Sequence, residues 1–184
     1  MTTPPPLDIQ PLSAADAPRL AAVALQAYRD HYLHLWHDHG AWYTQTCFTV
    51  ERLTAELRDP ICRFFLIYSG PAPVGFLKLN VEPPARSRLP SAYVPPADAL
   101  ELERIYFVRE ATGQGLGSAV MRFVDDYARQ HNHPFVWLKA MDSSTSALAF
   151  YRKHGFETVA THRLAFSQMK AEYRGMVILA KSVA

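Results

Sequence analysis

The segment from Leu102 to Ser118, LERIYFVREATGQGLGS, combines residue types that suit phosphate binding. A hydrophobic strand runs into a glycine-rich turn, and the turn leads directly into a helix. Backbone N–H groups at a helix N-terminus attract anionic oxygens, and glycines let a ligand approach the backbone closely. The segment therefore predicts a site for a phosphate-bearing ligand.

Two common phosphate-binding motifs do not fit this turn. A P-loop requires lysine and then Ser or Thr after its last glycine, whereas Gly117 is followed by Ser118 and Ala119. A dinucleotide fingerprint requires a third glycine at position 118 within a repeated βαβ unit, and the sequence has neither. The remaining alternative is that the glycines only permit a tight strand-to-helix turn.

A second block of chemically useful residues begins at Ser144 and reads STSALAFYRKHGF. Together with the turn TGQGLG, which begins at Thr112, it resembles the GCN5-related N-acetyltransferase (GNAT) family. The family patterns are Q/R-x-x-G-x-G/A and N-x-x-A-x-x-F-Y-x-K-x-G-F. Thr112 and Ser144 stand where the family usually has Gln or Arg and Asn, respectively.

The resemblance implies an α/β fold with a mixed, mostly antiparallel central sheet flanked by helices and with splayed fourth and fifth strands. It also implies acetyl-CoA as the acyl donor, with pantetheine lying between those strands in the manner of an added strand. The amides of Gln114, Gly115, Gly117 and Ser118 are expected to face the pyrophosphate. The implied cofactor-binding residues are Phe107, Val108, Thr112, Gly113, Gln114, Gly115, Gly117, Ser118, Ser144 and Tyr151.

Tyr151 matches the family pattern fully, and the resemblance implies that its hydroxyl protonates the leaving thiolate as a general acid. The alternative for Tyr151 is a packing role in a short helix. A backbone N–H near Phe107 or Val108 is expected to stabilise the oxyanion.

An amine must lose a proton during attack on a thioester, so a base or a water chain is needed. Glu101 and Glu103 alternate with Leu100 and Leu102, which predicts that both carboxylates face one side of the sheet. The resemblance puts Glu101 where some members keep a catalytic glutamate, with Glu103 one pleat closer to the thioester. Alternatively, these glutamates face water or pair with Arg104, Arg163 or another cation.

The acceptor region is expected in the first helices, where aromatic and imidazole side chains are crowded. Tyr28, Tyr32 and Trp36 are the predicted substrate-binding residues, and an aromatic, mildly polar pocket suits a hydrophobic or cationic amine. A metal site at His31, His34 and His37 is disfavoured, because that spacing does not put three imidazoles on one narrow helical face. An aromatic wall that packs a helix on the sheet is the simpler interpretation.

Hydrophobic periodicity predicts the elements that position these residues. Predicted strands are Leu7 to Pro11, Ile61 to Tyr68, Pro73 to Val81, Leu100 to Val108, Phe135 to Met141, Phe156 to Phe166 and Met176 to Lys181. Predicted helices are an amphipathic helix after the Ser13 N-cap, then Val50 to Arg58, Gly115 to Gln130 and Thr145 to His154. Met1 to Pro6 is predicted to be a flexible tail, and Glu82 to Asp98 a proline-rich loop.

Composition bounds the class of protein. With 184 residues, a single acetyltransferase domain over residues 7–184 is expected. A net charge of +2 without a basic block argues against nucleic acid or anionic membrane as a partner. Two cysteines and the absence of a signal-like start favour a cytoplasmic protein.

Two functions of different classes follow from the sequence. One is an enzyme that acetylates a primary amine of a small molecule or peptide by direct attack in a ternary complex. The alternative is a non-catalytic acyl-CoA-binding regulatory module. A homodimer is possible by analogy, and the late strand Met176 to Lys181 is a candidate to mediate it.

Overall fold

The computed structural model describes residues 7–82 and 93–183. Within them, seven strands form one mixed sheet in the order β1-β2-β3-β4-β5-β7-β6, flanked by helices. The strands are β1 (Asp8–Pro11), β2 (Cys62–Tyr68), β3 (Pro73–Asn80), β4 (Leu100–Phe107), β5 (Phe135–Met141), β6 (Glu157–Arg163) and β7 (Gly175–Ser182). The α-helices are α1 (Ala17–His31), α2 (Ala41–Cys47), α3 (Val50–Arg58), α4 (Leu116–Gln130) and α5 (Thr145–Lys153). No helix in this described part of the chain is long and apolar enough to cross a membrane.

Most predicted elements are confirmed, and α3 and β5 have the predicted bounds. The sequence analysis missed α2, which follows a left-handed glycine, Gly40, with φ of 80°. Aromatic residues throughout this segment hide the helical period, because they do not mark one face as the buried one. The predicted tail, residues 1–6, and residues 83–92 of the predicted loop lie outside the described residues.

The described residues group into two compact units. The first contains residues 7–79 and 104–119, and the second contains residues 80–82, 93–103 and 120–183. Both β4 and α4 contribute residues to each unit. The assignment of residues 7–184 to a single acetyltransferase domain stays a prediction.

The first unit contains β1, β2, most of β3, the end of β4 and helices α1 to α3. Strand β1 pairs antiparallel with β2, from Asp8↔Tyr68 to Pro11↔Phe65. Helix α1 begins after a turn in which the Asp16 carboxylate accepts from the Ser13 N–H (2.9 Å). This hydrogen bond lowers the pKa of Asp16, as expected for a carboxylate stabilised in its charged form. Ser13 is therefore the N-cap of the 3₁₀ turn (Ala14–Asp16) that leads into α1, whereas the N-cap of α1 itself is Asp16.

The second unit is built around an antiparallel β5-β7-β6 arrangement. Strand β7 pairs with β5 along its whole length and with β6 on its other side. Strand β4 begins parallel to β5, with Leu100↔Val136 and Glu101↔Trp137 as partners. Since β7 is hydrogen-bonded on both sides, its edges are closed to a second copy of the chain, contrary to the expectation for Met176 to Lys181. The terminal strand of this arrangement is β6.

Gly75 in β3 is required by a close approach to β4. A Cβ at this position would lie 2.4 Å from the Tyr106 carbonyl oxygen and 3.2 Å from Phe107 Cα. Both are backbone atoms, which cannot move aside as the end of a flexible side chain can. Gly75 thus permits the contact between two strands at the point where β4 ends.

We predict that Gly75→Ala lowers the free energy of unfolding by about 1–3 kcal/mol, because an added methyl group overpacks this contact. Urea denaturation followed by circular dichroism measures the change. Ala72→Ser, in the exposed turn before β3, is the matched control and is expected to change stability by less than about 0.5 kcal/mol. An unchanged midpoint for Gly75→Ala would contradict the close approach.

Candidate functional site

The turn after β4 leaves a polar backbone open to a ligand. A 3₁₀ turn (Arg109–Ala111) is followed by four exposed residues, and α4 begins at Leu116. Gly113 and Gly115 both have φ of 76°, and a Cβ on either would meet no atom within 4 Å. These glycines are therefore required by the left-handed backbone rather than by crowding, and the space beside them is open.

The predicted pyrophosphate donors lie at the N-terminus of α4. The first N–H groups of an α-helix have no acceptor within the helix, and its dipole favours an anion there. Thr112 Oγ1 donates to the Arg109 carbonyl (2.7 Å), and Gln114 Nε2 donates to the Glu110 carbonyl (2.7 Å). Both side chains are directed back to the turn itself. The residues present therefore fit a pyrophosphate held by main-chain amides, and Thr112 supports the turn instead of reaching outwards.

The end of α1 holds the exit of β4 in place. Asp30 Oδ2 accepts from the Arg109 N–H (2.8 Å), and the Arg109 guanidinium donates to the Asp30 carbonyl. The neighbouring His31 donates through Nε2 to the Phe107 carbonyl (3.1 Å). The two α1 residues thus bind the backbone on both sides of Val108. We call this arrangement the α1 clamp.

One of the two predicted oxyanion donors already has an acceptor. The Val108 N–H donates to the Val74 carbonyl in β3 at 2.9 Å. An amide with a strong protein acceptor cannot also stabilise a developing oxyanion. The prediction for Val108 is corrected accordingly, and the amide of Phe107 remains the candidate.

Two of the three predicted acceptor residues are core residues. Tyr28 and Trp36 have exposed fractions of 3% and 1%, and Trp36 Nε1 donates to the Tyr28 hydroxyl (2.7 Å). The ring of Tyr32 is half-buried and lies 5.1 Å from the rings of both Tyr28 and Tyr106. We call Tyr28, Tyr32, Trp36 and Tyr106 the aromatic wall. Tyr28 and Trp36 are its buried members, and Tyr32 has solvent access.

The phenols of this wall are kept neutral. Burial raises the pKa of Tyr28, Tyr32 and Tyr106, and nearby phenols add to the effect for Tyr28 and Tyr106. Desolvation disfavours a phenolate, so these hydroxyls remain protonated at neutral pH. They are suited to hydrogen bonding and ring contacts rather than to proton abstraction.

A buried ionic network lies beside the wall in the first unit. The Glu56 carboxylate is 2.9 Å from Lys78 Nζ and 3.5 Å from Arg104 Nη1, and all three side chains are buried. The guanidinium of Arg104 also lies over the Phe48 ring, 5.5 Å from its centroid. Buried charges require such partners, because each loses hydration on folding.

In the second unit, both candidate bases contact one amide. Asn80 Nδ2 donates to Glu101 Oε2 (2.9 Å) and to Glu103 Oε2 (2.6 Å). Glu101 also pairs with Lys139 Nζ at 3.3 Å. Lys139 is thus a cation other than Arg104 and Arg163, the two that were named as possible partners. The guanidinium of Arg163, in contrast, donates to the Ala171 carbonyl.

Tyr151 lies in α5, and hydrogen bonds anchor the C-terminal end of this helix. The Tyr151 carbonyl accepts from the His154 and Phe156 N–H groups (3.0 and 3.1 Å), and its ring packs edge-on to Phe156. Lys181 Nζ donates to the His154 carbonyl (3.1 Å). Burial and the charge of Lys181 lower the pKa of His154, which favours the neutral imidazole. Tyr151 is half-buried on this anchored helix, and Ser144 is its N-cap residue.

The predicted site residues are divided between the two units. The first unit holds the turn from Phe107 to Ser118 and the aromatic wall, whereas the second holds Glu101, Glu103, Ser144 and Tyr151. The sequence analysis missed Asn80, Lys139 and the α1 clamp, since no local motif marks them. In residues 7–82 and 93–183, no group of three or more His, Cys, Asp or Glu is placed to hold a metal ion.

Comparisons with known sequences agree on one protein family. A sequence model of the acetyltransferase (GNAT) family matches residues 22–156, which is well over half of the chain. The uncharacterized N-acetyltransferase in the pepI 3' region of Lactobacillus delbrueckii subsp. lactis is 23% identical over 155 residues, covering 82% of this chain and 84% of that protein.

Solved structures share the fold. PaiA N-acetyltransferase from Thermoplasma acidophilum, in complex with coenzyme A, has a TM-score of 0.71 at 17% identity, covering 96% of this chain and 99% of that one. The ribosomal-protein-S18-alanine N-acetyltransferase from Escherichia coli has a TM-score of 0.68 at 18% identity, covering 97% and 95%. At these identities the similarity concerns the fold alone.

We predict that Asp30→Ala, which removes the carboxylate of the α1 clamp, weakens coenzyme A binding about 3- to 10-fold, in line with the loss of one charge-assisted hydrogen bond. Isothermal titration calorimetry measures the affinity. Hydrogen exchange is expected to become faster in the turn after β4.

Asp38→Ala is the matched control, because Asp38 accepts from the Gly40 and Trp42 N–H groups (3.0 and 2.7 Å) at the start of α2. It is expected to leave coenzyme A affinity unchanged. Equal weakening by both substitutions would contradict a specific role of the α1 clamp.

Proposed function

Because this chain belongs to the acetyltransferase (GNAT) family, we propose that it acetylates a primary amine of a small molecule or peptide by direct attack in a ternary complex. The chain is an acetyl-CoA-dependent N-acetyltransferase. The observation that carries the proposal is the exposed turn with two left-handed glycines before α4. A turn of this kind presents main-chain amides to an anionic donor.

For the donor, the proposed contacts follow the residues of the turn and of α5. Main-chain amides from Gly113 to Ser118 would hold the pyrophosphate, and Ser144 and Tyr151 are further proposed cofactor-binding residues. Bound acetyl-CoA supplies an activated acyl group with a good leaving thiolate. The α1 clamp holds the turn in position, which lowers the entropy that donor binding must overcome.

For acetyl transfer, the chain must take one proton from the amine and supply one to the leaving thiolate. As the amine attacks, an N–C bond forms, the C–S bond breaks, and one N–H proton passes to a base. The proposed base is a carboxylate of the Glu101 and Glu103 pair, directly or through water. The electron pair of the C–S bond leaves with sulfur, and the proposed donor of its proton is the Tyr151 hydroxyl. The products are the N-acetylated amine and free coenzyme A.

The acceptor class is proposed from the residues of the aromatic wall. Neutral phenols such as that of Tyr32 offer ring faces and hydroxyls, which suit a hydrophobic or cationic amine. A cytoplasmic location and a homodimer are part of the proposal. Neither Cys47 nor Cys62 forms a disulfide, in agreement with a reducing compartment.

A thiol-release assay with the purified chain tests the proposal. Acetyl-CoA is supplied with a panel of aliphatic diamines, aromatic amines and peptides with free N-termini or lysines, and products are identified by mass spectrometry. We expect acetylation of at least one class of amine. Tight coenzyme A binding without transfer to any amine would instead support the non-catalytic acyl-CoA-binding module, which the family membership does not favour.

We predict that Tyr151→Phe lowers kcat about 10- to 100-fold, because the leaving thiolate loses its proton donor. The affinity for acetyl-CoA should stay within about twofold, because the ring remains in place. Steady-state kinetics with a saturating acceptor measure kcat, and isothermal titration calorimetry measures the affinity.

Tyr127→Phe is the control for the loss of a phenol. The Tyr127 ring stacks on His131 (4.0 Å) towards the C-terminal end of α4. We expect unchanged kinetics for this variant. An unchanged kcat for Tyr151→Phe would assign Tyr151 to packing.

A further inference from the structure

Asn80 is a buried side chain that no sequence motif singles out. It is the last residue of β3, its exposed fraction is 9%, and its Nδ2 donates to both Glu101 and Glu103. An amide nitrogen carries two hydrogens, so each hydrogen serves a different glutamate. One side chain thus sets the separation of the two candidate bases.

The orientation of the Asn80 amide is determined by its partners. A flipped amide would put Oδ1 against two carboxylate oxygens, and three acceptors would then repel one another. Oδ1 therefore points away from the glutamates, and among the described residues no donor reaches it. A buried acceptor without a donor lowers stability. The two hydrogen bonds to carboxylates offset that cost, and they are the contacts that an asparagine supplies at this position.

The two glutamates differ in their surroundings. Glu101 has an exposed fraction of 2%, and its two oxygens face Lys139 and Asn80. Glu103 is half-buried and accepts the shorter hydrogen bond from Asn80, at 2.6 Å. A base must be reachable by the group it deprotonates. Glu101 is suited to anchoring, and Glu103 is suited to proton transfer.

We propose that Asn80 is a positioning residue, which uses the anchored Glu101 to hold the Glu103 carboxylate where it takes the amine proton. This inference rests on the proposed acetyl transfer. In that step one proton moves from the amine nitrogen to Glu103, while the N–C bond forms and the C–S bond breaks. Asn80 exchanges no proton; its contribution is to restrict rotation of the Glu103 side chain.

The first test replaces Asn80 with leucine, which has a similar size and no donor. We expect kcat to fall about 10- to 100-fold, the range found when a hydrogen bond that orients a metal-ligating side chain is removed. The KM for acetyl-CoA should be unchanged. A crystal structure of this variant should show the Glu103 carboxylate displaced from its present position.

Thr44→Val is the matched control for a lost buried hydrogen bond. Thr44 has the same exposed fraction, 9%, and its Oγ1 donates to the Gly40 carbonyl (2.9 Å). This variant should lose thermal stability and keep its kcat. If Asn80→Leu behaves in the same way, with Glu103 unmoved, Asn80 is purely structural and the proposal is overturned.

Charge substitutions test the assigned roles independently. Charged groups around the amide in the described part of the second unit include Glu101 and Glu103 on β4 and Lys139 on β5. Asn80→Asp adds a third carboxylate, so the acid limb of the kcat profile should move to higher pH. Glu103→Gln should lower kcat more than Glu101→Gln; the reverse order, or an unmoved acid limb, would overturn the assignment.

The outcomes separate this inference from the proposed function. If the unmodified chain acetylates no amine, the proposed function fails, and the crystal structure of Asn80→Leu then decides whether Asn80 positions Glu103. If the unmodified chain is active and the Asn80 variants match it in kcat and pH profile, only the positioning role fails.

Discussion

To hold a pyrophosphate, the backbone amides in the turn between β4 and α4 must have no acceptor within the protein. The turn itself must still be held in a fixed position. The start of α4 meets the first condition, because the first N–H groups of a helix have no partner within it. Gly113 and Gly115 let the chain enter that helix through left-handed conformations. The α1 clamp meets the second condition by binding Arg109 and Phe107 through side chains of another element. The proposed binding of the acetyl donor depends on this combination.

Both units contain a buried carboxylate with specific donors as partners. Glu56 has Lys78 and Arg104, and Glu101 has Lys139 and Asn80. Because desolvation of an ion is expensive, such groups hold a defined geometry only when their partners are in place.

The aromatic wall is uncharged, in contrast to the buried ion pairs. Its buried members, Tyr28 and Trp36, are joined by a hydrogen bond, and its phenols stay neutral because burial disfavours the phenolate. A wall of this kind provides area for ring contacts without adding net charge. In the proposed reaction, proton transfer is therefore assigned to carboxylates and to Tyr151, and the wall is the proposed surroundings of the acceptor.

Local spacing by itself determined much of this protein. The period of Val50–Arg58, the alternation in Phe135–Met141 and the two motif blocks predicted a helix, a strand and the acetyltransferase family. These signals are carried by residues a few positions apart, where backbone geometry relates side chains directly. Only the tertiary structure decided that Asn80 joins Glu101 and Glu103, more than 20 positions away. It also decided that the Val108 amide is taken by Val74 and that α2 follows Gly40. Such contacts depend on strand register and on packing between distant segments, and neither is encoded in the spacing of neighbouring residues.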